Sequence, residues 1–468
     1  MLFSSAAFLF FFAGYLTLHW LLPLRFRLPL IIAGSAIFYG YWNPYYLWLP
    51  FAMTLLAYYG ALWMDSNGEP GAKRRRLAIV TVLLLAPLVI VKYTNFIYSE
   101  VVGPVAGFSG SVANWALPLG ISFITFTLIA YVVDVYRGHF PVERNLKMLT
   151  GLVLFFPHLI AGPILRPAEL LPQLRNQARL RRMRAVMAFG VTLFSVGLVK
   201  KVVFADTVSE TVERVFSPDA SGLSRLDYLV GIYGFALQIY CDFSGYTDMA
   251  LGSALLLGVK LPRNFSRPYL ATSLIEFWTR WHITLSKWLR DYLYIPLGGN
   301  RLGYLRQWMN LLVTMGLGGL WHGANWTFVL WGLAHALGIG FVHAVRNFRI
   351  LGWIGETPRI VRVLATFHFV SVCWILFRAP DISTAWNVVR GPFVASWINF
   401  ENAAFQNTLP LLLLGIFVAT HRWDDHRTLR TLAKRLPGSI LWPVLAVLWV
   451  LAITVSQGSS AKFIYFDF

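Results

Sequence analysis

Apolar stretches long enough to cross a bilayer recur from the first residues of this chain to the last. That recurrence limits the fold more than any single motif. A span needs about 20 apolar residues, and within the bilayer every backbone polar group must be paired inside the protein. Runs of that length therefore read as helices. The 468 residues are 57% hydrophobic, 16% aromatic and only 13% charged, with a mean hydropathy of +0.60. That balance is far more apolar than a soluble globular average. The expected fold is all-α, a polytopic integral membrane protein of about eleven transmembrane helices with about two or three re-entrant or interfacial elements. Neither a polar stretch of soluble-domain size nor a flexible linker interrupts the pattern, so a single membrane domain over 1–468 is expected. Met1 to Leu22 lacks a basic leader and a small-residue cleavage site, so it is expected to stay attached.

The formal charge of +19 would suggest nucleic acid in a soluble chain. Here the basic residues sit in short loops between spans, where they report orientation and anionic lipid instead. Arg25, Arg27 and Lys73 to Arg76 mark the cytoplasmic side. Asp206, Glu210, Glu213, Asp219 and Asp227 mark a segment outside, and both termini fall outside as well. Cys241 and Cys373, far apart in apolar surroundings, support neither a disulfide framework nor a zinc site. No metal is expected.

Against this background a few polar positions stand out. His322 lies in Gly318-Gly319-Leu320-Trp321-His322-Gly323-Ala324-Asn325, between two apolar arms whose outer ends are both basic. An ionisable group there costs stability unless it faces protein or a water-filled cavity, which makes it a candidate for chemistry. Neutral imidazole is the form a general base requires. Asn325 could fix its tautomer or hold a carbonyl. Leu149 to Leu165 is interrupted by Pro157, His158, Gly162 and Pro163, so a broken or re-entrant helix is expected, with His158 in a capping role. Tyr228 to Val259 carries Asp242, Gly245 and Asp248 at its centre, which points to a second broken helix lining a polar cavity. For these two carboxylates a structural hydrogen-bonding role is favoured over a proton relay or metal pair.

Lys260 to Arg306 contains no uninterrupted span. Trp278, Trp281, His282, Leu285, Trp288, Leu289 and Tyr292 share one helical stripe, opposite Glu276, Arg280, Lys287 and Asp291, so an interfacial helix with tryptophans at headgroup depth is expected. His282 is then either a second site residue or a polar tip in an aromatic belt. Arg280, Lys287, Arg290 and Arg301, with Gly298-Gly299-Asn300, could recognise the phosphates of a cytoplasmic acyl donor, and equally are what the positive-inside rule produces unaided. The chain contains no Gly-x-Ser-x-Gly elbow, P-loop or metal-spaced Cys-His pair.

Several of these segments together resemble the membrane-bound O-acyltransferase family, in particular its bacterial branch that O-acetylates exopolysaccharides such as alginate and cellulose. They are Pro157 to Pro163, Asp242 to Ala250, Glu276 to Ser286, Trp288 to Arg301 and Gly319 to Asn325. The resemblance implies a helical fold with a central funnel and tunnel, a catalytic core over about 115–345, C-terminal helices over 361–456 and an extracytoplasmic aromatic tail over 457–468. It also implies that the family's histidine falls on His322 and its second histidine on His282. Trp321, Asn325, Asp242, Asp248 and His158 are candidate supporting or tunnel residues. The implied activity is relay of an acetyl group from acetyl-CoA, with no tightly bound cofactor, across a bacterial inner membrane. The implied partners are a periplasmic SGNH-type acetyltransferase or acyl carrier and an exopolysaccharide synthesis and secretion complex. The tail Phe463 to Phe468 resembles aromatic tails found in such systems and could fold back toward the tunnel or dock a partner. Two other readings stay open: a transporter of an acyl donor or lipid-linked sugar without chemistry, and D-alanyl transfer to teichoic acid.

Overall fold

The computed structural model describes residues 1–66, 69–107, 115–160, 162–176, 183–348, 357–397, 400–456 and 464. Most of the Gly103 to Asn114 loop, Ala161, part of the basic segment Arg166 to Arg184, Arg349 and the aromatic tail apart from Ile464 lie outside the described residues. Among the described residues all regular structure is helical. Among the described residues six helical segments are long and apolar enough to span a bilayer: Pro44–Asp65, Pro70–Val105, Val186–Val215, Trp326–Val345, Arg359–Arg378 and Gly438–Ser456. Ala6–Leu21, Ile121–Tyr136 and Thr408–Trp423 are shorter apolar helices. The protein is a multi-pass membrane protein.

The chain divides into two compact units, Met1–Phe194 with Thr247–Pro262, and Ser195–Tyr246 with Arg263–Phe468. The first contains α1 (Ala6–Leu21), α2 (Leu24–Gly40), α3 (Trp48–Asp65), α4 (Pro70–Phe96), the single turn α5 (Gly103–Ala106), α6 (Ile121–Tyr136), α7 (Leu146–Leu154), α8 (Phe156–Leu159) and α9 (Pro167–Arg175). Phe8, Phe11, Tyr15 and Phe38 surround Phe156 at ring separations of 5.3–6.2 Å, so the break between α7 and α8 is filled with aromatic edges. The Ser35 hydroxyl accepts from the Phe156 N–H at 3.1 Å, covering one amide that the break frees. The interruption at Pro157 is thus real, and the backbone around it is satisfied from within the protein, as a bilayer demands.

α10 (Met183–Val199) and α12 (Arg225–Leu256) contribute to both units. The second unit continues with α11 (Thr207–Val215), α13 (Leu274–Arg280), α14 (Ile283–Leu289), α15 (Tyr304–His322), α16 (Trp326–Phe348), α17 (Arg359–Arg378), α18 (Ile382–Val394), α19 (Phe400–Gln406), α20 (Thr408–Thr420), α21 (His426–Arg435) and α22 (Gly438–Ser456).

Two expectations from the sequence are corrected here. The carboxylate-bearing segment Tyr228 to Val259 is not broken, because α12 runs unbroken through Asp242, Gly245 and Asp248 for 32 residues. Gly245 serves close packing instead: a Cβ there would lie 2.6 Å from the Gly197 carbonyl oxygen. The interfacial helix, in turn, is two short helices separated at Trp281 and His282, and these two side chains are 2% and 0% exposed. They are core residues of the unit, not members of a headgroup belt.

α15 and α16 form an antiparallel hairpin whose backbones touch. A Cβ on Gly319 would sit 2.1 Å from the Phe328 carbonyl oxygen, and one on Gly332 would sit 2.1 Å from that of Met315. Small residues at such contacts are how membrane helices pack closely. Replacing Gly332 by Leu should therefore force the hairpin apart, at an overpacking cost of about 1–3 kcal/mol, and lower the melting temperature of the purified protein. Gly415→Ala on α20, where nothing lies within 4 Å, should leave melting unchanged.

Candidate active site

The hairpin delivers His322 to its turn. α15 ends on His322 itself, and Gly323 follows in an extended conformation at φ −159°. A Cβ at Gly323 would lie 2.1 Å from the Phe328 ring, so this turn accepts only a glycine. Asn325 then fixes the tip. Its Oδ1 accepts from the Thr327 N–H at 3.0 Å, capping α16, and its Nδ2 donates to the Pro380 carbonyl at 2.8 Å. Both bonds of Asn325 are structural, one a helix cap and one a tie to the backbone of the following loop.

The His322 side chain belongs to a residue that is 3% exposed. Trp321, Trp331 and Phe377 face its ring edge-to-face at 4.9, 5.2 and 5.2 Å. Behind Trp331 the aromatic packing continues, with Trp374 stacked at 5.6 Å and His335 at 5.0 Å. His335 is fully buried and accepts from the Trp278 indole N–H at 3.3 Å. Trp331, His335 and Trp374 were not singled out in the sequence. The available signal was the Trp331/His335 spacing of one helical turn, which sets both rings on one face of α16.

His282 approaches the same region through Trp321, 6.3 Å from its ring, and packs edge-on against Phe243 at 4.8 Å. Its backbone is in the left-handed region at φ 39°, a conformation costing a non-glycine residue about 1–2 kcal/mol. Asn264 holds the conformation in place. The Asn264 carbonyl accepts from the Ile283 N–H at 2.9 Å, and its Oδ1 accepts the Thr284 hydroxyl at 2.6 Å and the Thr284 N–H at 3.3 Å, capping α14. Neither His282 ring nitrogen has a hydrogen-bond partner among the described residues. Burial pushes this imidazole down to about 3, so it is neutral at physiological pH. A strained backbone and two orphaned buried nitrogens on one residue together violate the rules that stability alone would enforce.

Asp242 has a structural environment. The Lys201 ammonium lies 2.8 Å from Asp242 Oδ1 and 2.7 Å from Asp206 Oδ1, and the Ile464 N–H donates to Asp242 Oδ2 at 2.8 Å. The one described tail residue is thereby tied to the middle of α12. Alongside, Lys200 pairs with Asp424 at 2.6 Å and the Tyr240 hydroxyl donates to the same carboxylate at 2.6 Å. Lys201 went unremarked in the sequence because it stands beside Lys200 at the end of an apolar run, where basic residues are usual.

His158 and Asp248 belong to the first unit, and both are buried. His158 Nε2 lies 2.8 Å from the Leu152 carbonyl, bridging the break after α7. Of the basic residues, Arg280 is bound to Glu276 at 2.5 Å. Burial opposes ionisation of Glu276, but the Thr272 N–H and hydroxyl together with Arg280 hold its carboxyl below the usual range. Arg290 pairs with its neighbour Asp291 at 2.7 Å, and Lys287 and Arg301 are exposed. Among the described residues no cluster of His, Cys, Asp and Glu could hold a metal ion.

Comparison with known proteins decides the family. The model of the membrane-bound O-acyltransferase family matches residues 139–377, a range that includes both His282 and His322. The chain is 39% identical over 434 residues to a probable alginate O-acetylase of Azotobacter vinelandii, covering 90% of this chain and 85% of that one. It belongs to the membrane-bound O-acyltransferase family. A peptidoglycan O-acetyltransferase of Helicobacter pylori is 36% identical over 397 residues, covering 79% of this chain and 74% of its own length. A teichoic acid D-alanyltransferase of Bacillus subtilis is more distant, at 25% over 276 residues, 55% of this chain and 68% of its own. As a family member the chain is an O-acyltransferase.

In this acyltransferase the Lys201 cluster should behave as a buried ion network. Removing one partner of a buried pair leaves an uncompensated charge, at about 3–5 kcal/mol. Lys201→Met and Asp242→Asn should each lower the melting temperature markedly, and the double variant should lose far less than the sum of the two, a coupling that a double-mutant cycle measures.

Proposed function

We propose that this acyltransferase moves an acetyl group from cytoplasmic acetyl-CoA across a bacterial inner membrane for O-acetylation of a secreted exopolysaccharide, with alginate the favoured polymer. The observation that carries the reading is His322, held at the tip of a glycine-packed hairpin within an aromatic enclosure. The names of the relatives supply the substrate class: the alginate O-acetylases match over most of both chains, whereas the D-alanyltransferase matches little more than half of this one.

In this mechanism His322 acts as general base. The acceptor hydroxyl oxygen attacks the thioester carbonyl carbon while the imidazole takes the hydroxyl proton. The tetrahedral intermediate collapses with loss of the coenzyme A thiolate, and the imidazolium returns the proton to that sulfur. His282, with two uncommitted ring nitrogens near Trp321, is suited to hold the developing oxyanion or the acceptor. A water-poor enclosure protects the thioester from hydrolysis. Acetyl-CoA is a substrate here and no resident cofactor is required. The acceptor is a periplasmic acetyltransferase or acyl carrier working with the polymer-secreting complex, and both chain termini lie on that side.

Purified protein supplied with labelled acetyl-CoA and acceptor tests the proposal. His322→Ala should reduce acetyl transfer by about 10²- to 10⁴-fold, the contribution usual for general-base catalysis, with melting temperature and donor binding retained. Unaltered transfer would remove His322 from the mechanism. His282→Ala should lower kcat more than KM, because an oxyanion partner acts only in the transition state.

A further inference from the structure

Away from the two histidines, the second unit has a partly open surface pocket of about 150 Å³ between the loop after α11 and one face of α18. One water needs about 10–15 Å³ of such space, so the pocket has room for a group far larger than a water, such as a sugar ring. Ser217, Tyr228, Thr384, Asn387 and Arg390 bring polar groups to it over an apolar floor that includes Val388. The Tyr228 ring is pressed flat against the helix backbone, since a Cβ on Gly391 would lie 2.4 Å from it.

What distinguishes these side chains is which of them are already committed. The Thr384 hydroxyl donates to Asp381 at 3.1 Å, and the Ser217 hydroxyl accepts from the Asp219 N–H at 3.3 Å. Tyr228, Asn387 and Arg390 make no side-chain hydrogen bond or ion pair with any described residue. Two carboxylates nearby in sequence are committed elsewhere, Asp227 to Ser224, Arg214 and Asn407 and Asp381 to capping α18, while Asp219 is exposed between the lining residues Pro218 and Ala220. Among the described residues no acidic side chain lines the cavity, and the one formal charge in the lining is the Arg390 guanidinium. Arginine presents paired donors that match a carboxylate, an amide offers both a donor and an acceptor to vicinal hydroxyls, and a fixed aromatic face suits the C–H side of a pyranose.

We infer that this cavity is a binding site for a carboxylated sugar residue, a uronate, of the polymer being acetylated. The inference rests on the topology and substrate class proposed above, which put this face outside the membrane, and adds a contact that chooses between glycans. Alginate is a polymer of uronates and cellulose is neutral, and only the first gives Arg390 a partner. A carboxylate held here would keep the acidic polymer at the membrane surface where acetyl groups emerge.

The test is direct binding to the full-length protein in lipid nanodiscs, with a mannuronate trisaccharide as probe, cellotriose as the neutral control and inorganic phosphate as competitor. The wild type should bind the uronate at least tenfold more tightly than cellotriose. Arg390→Gln should lose that tenfold preference and Asn387→Ala part of it, with melting temperatures unchanged because both side chains are exposed. Arg390→Lys should recover part of the affinity. His322→Ala should bind the uronate as the wild type does, which separates this site from the acetyl-transfer reading. Equal binding of the two sugars, undiminished uronate binding by Arg390→Gln, or displacement of the uronate by equimolar phosphate, which would mark a general anion site, overturns the inference.

Discussion

The contact of α15 against α16 through bare backbone determines what the rest of the second unit can do. Helices in a bilayer gain no hydrophobic energy from one another, so their association depends on close van der Waals packing. Gly319 and Gly332 make that possible by leaving each helix without a side chain where the other's carbonyl passes. Once the two axes are locked, the tip has little freedom. Gly323 admits the Phe328 ring, Asn325 ties the turn to Pro380 in the loop before α18, and His322 is left facing Trp331 and Phe377. The position of the imidazole is therefore a consequence of glycine packing some way from it.

A second constraint, the need to pair every polar group that enters apolar surroundings, explains why two carboxylate- or histidine-bearing segments behave oppositely. Asp242 finds Lys201 and the Ile464 N–H. Its helix can stay intact, since a helix already satisfies its own backbone and only the side chain needs a partner. At His282 the balance is reversed. The backbone departs from helix, with the freed groups covered by Asn264, while the side chain has no partner among the described residues. An αL residue costs about 1–2 kcal/mol, and each unsatisfied buried polar atom about 1–3 kcal/mol more. Such costs are tolerated where a reacting molecule completes the arrangement.

Much of this was legible in the sequence, for reasons that differ by element. The helical membrane architecture follows from long apolar runs, and the hairpin from two apolar arms flanking a glycine-rich turn. The break at Pro157 was readable because proline removes a backbone donor. The continuity of α12 was not, because the partner that satisfies Asp242 is Lys201, 41 positions earlier (242 − 201). No local pattern carries that pairing. The splitting of the Trp278 to Tyr292 segment was hidden for a related reason: the helical stripe there is genuine, but Asn264 imposes a left-handed residue within it through a tertiary hydrogen bond. His282 and His322 were visible as polar residues in apolar surroundings. The aromatic residues around them were not, since tryptophan and phenylalanine are unremarkable in a membrane span.

In the mechanism proposed above, that aromatic surround answers a difficulty peculiar to catalysis within a membrane. In soluble hydrolases a carboxylate commonly orients the catalytic imidazole and stabilises its protonated form, but a charge brought into a bilayer for that purpose is costly. Ring edges offer another means of orientation. Trp321, Trp331 and Phe377 meet the His322 ring at interplanar angles of 76°, 88° and 69°, so three steep contacts fix its plane and add no charge of their own. In the mechanism proposed above, ring contacts thus contribute to an orientation that a carboxylate commonly gives in water-soluble enzymes.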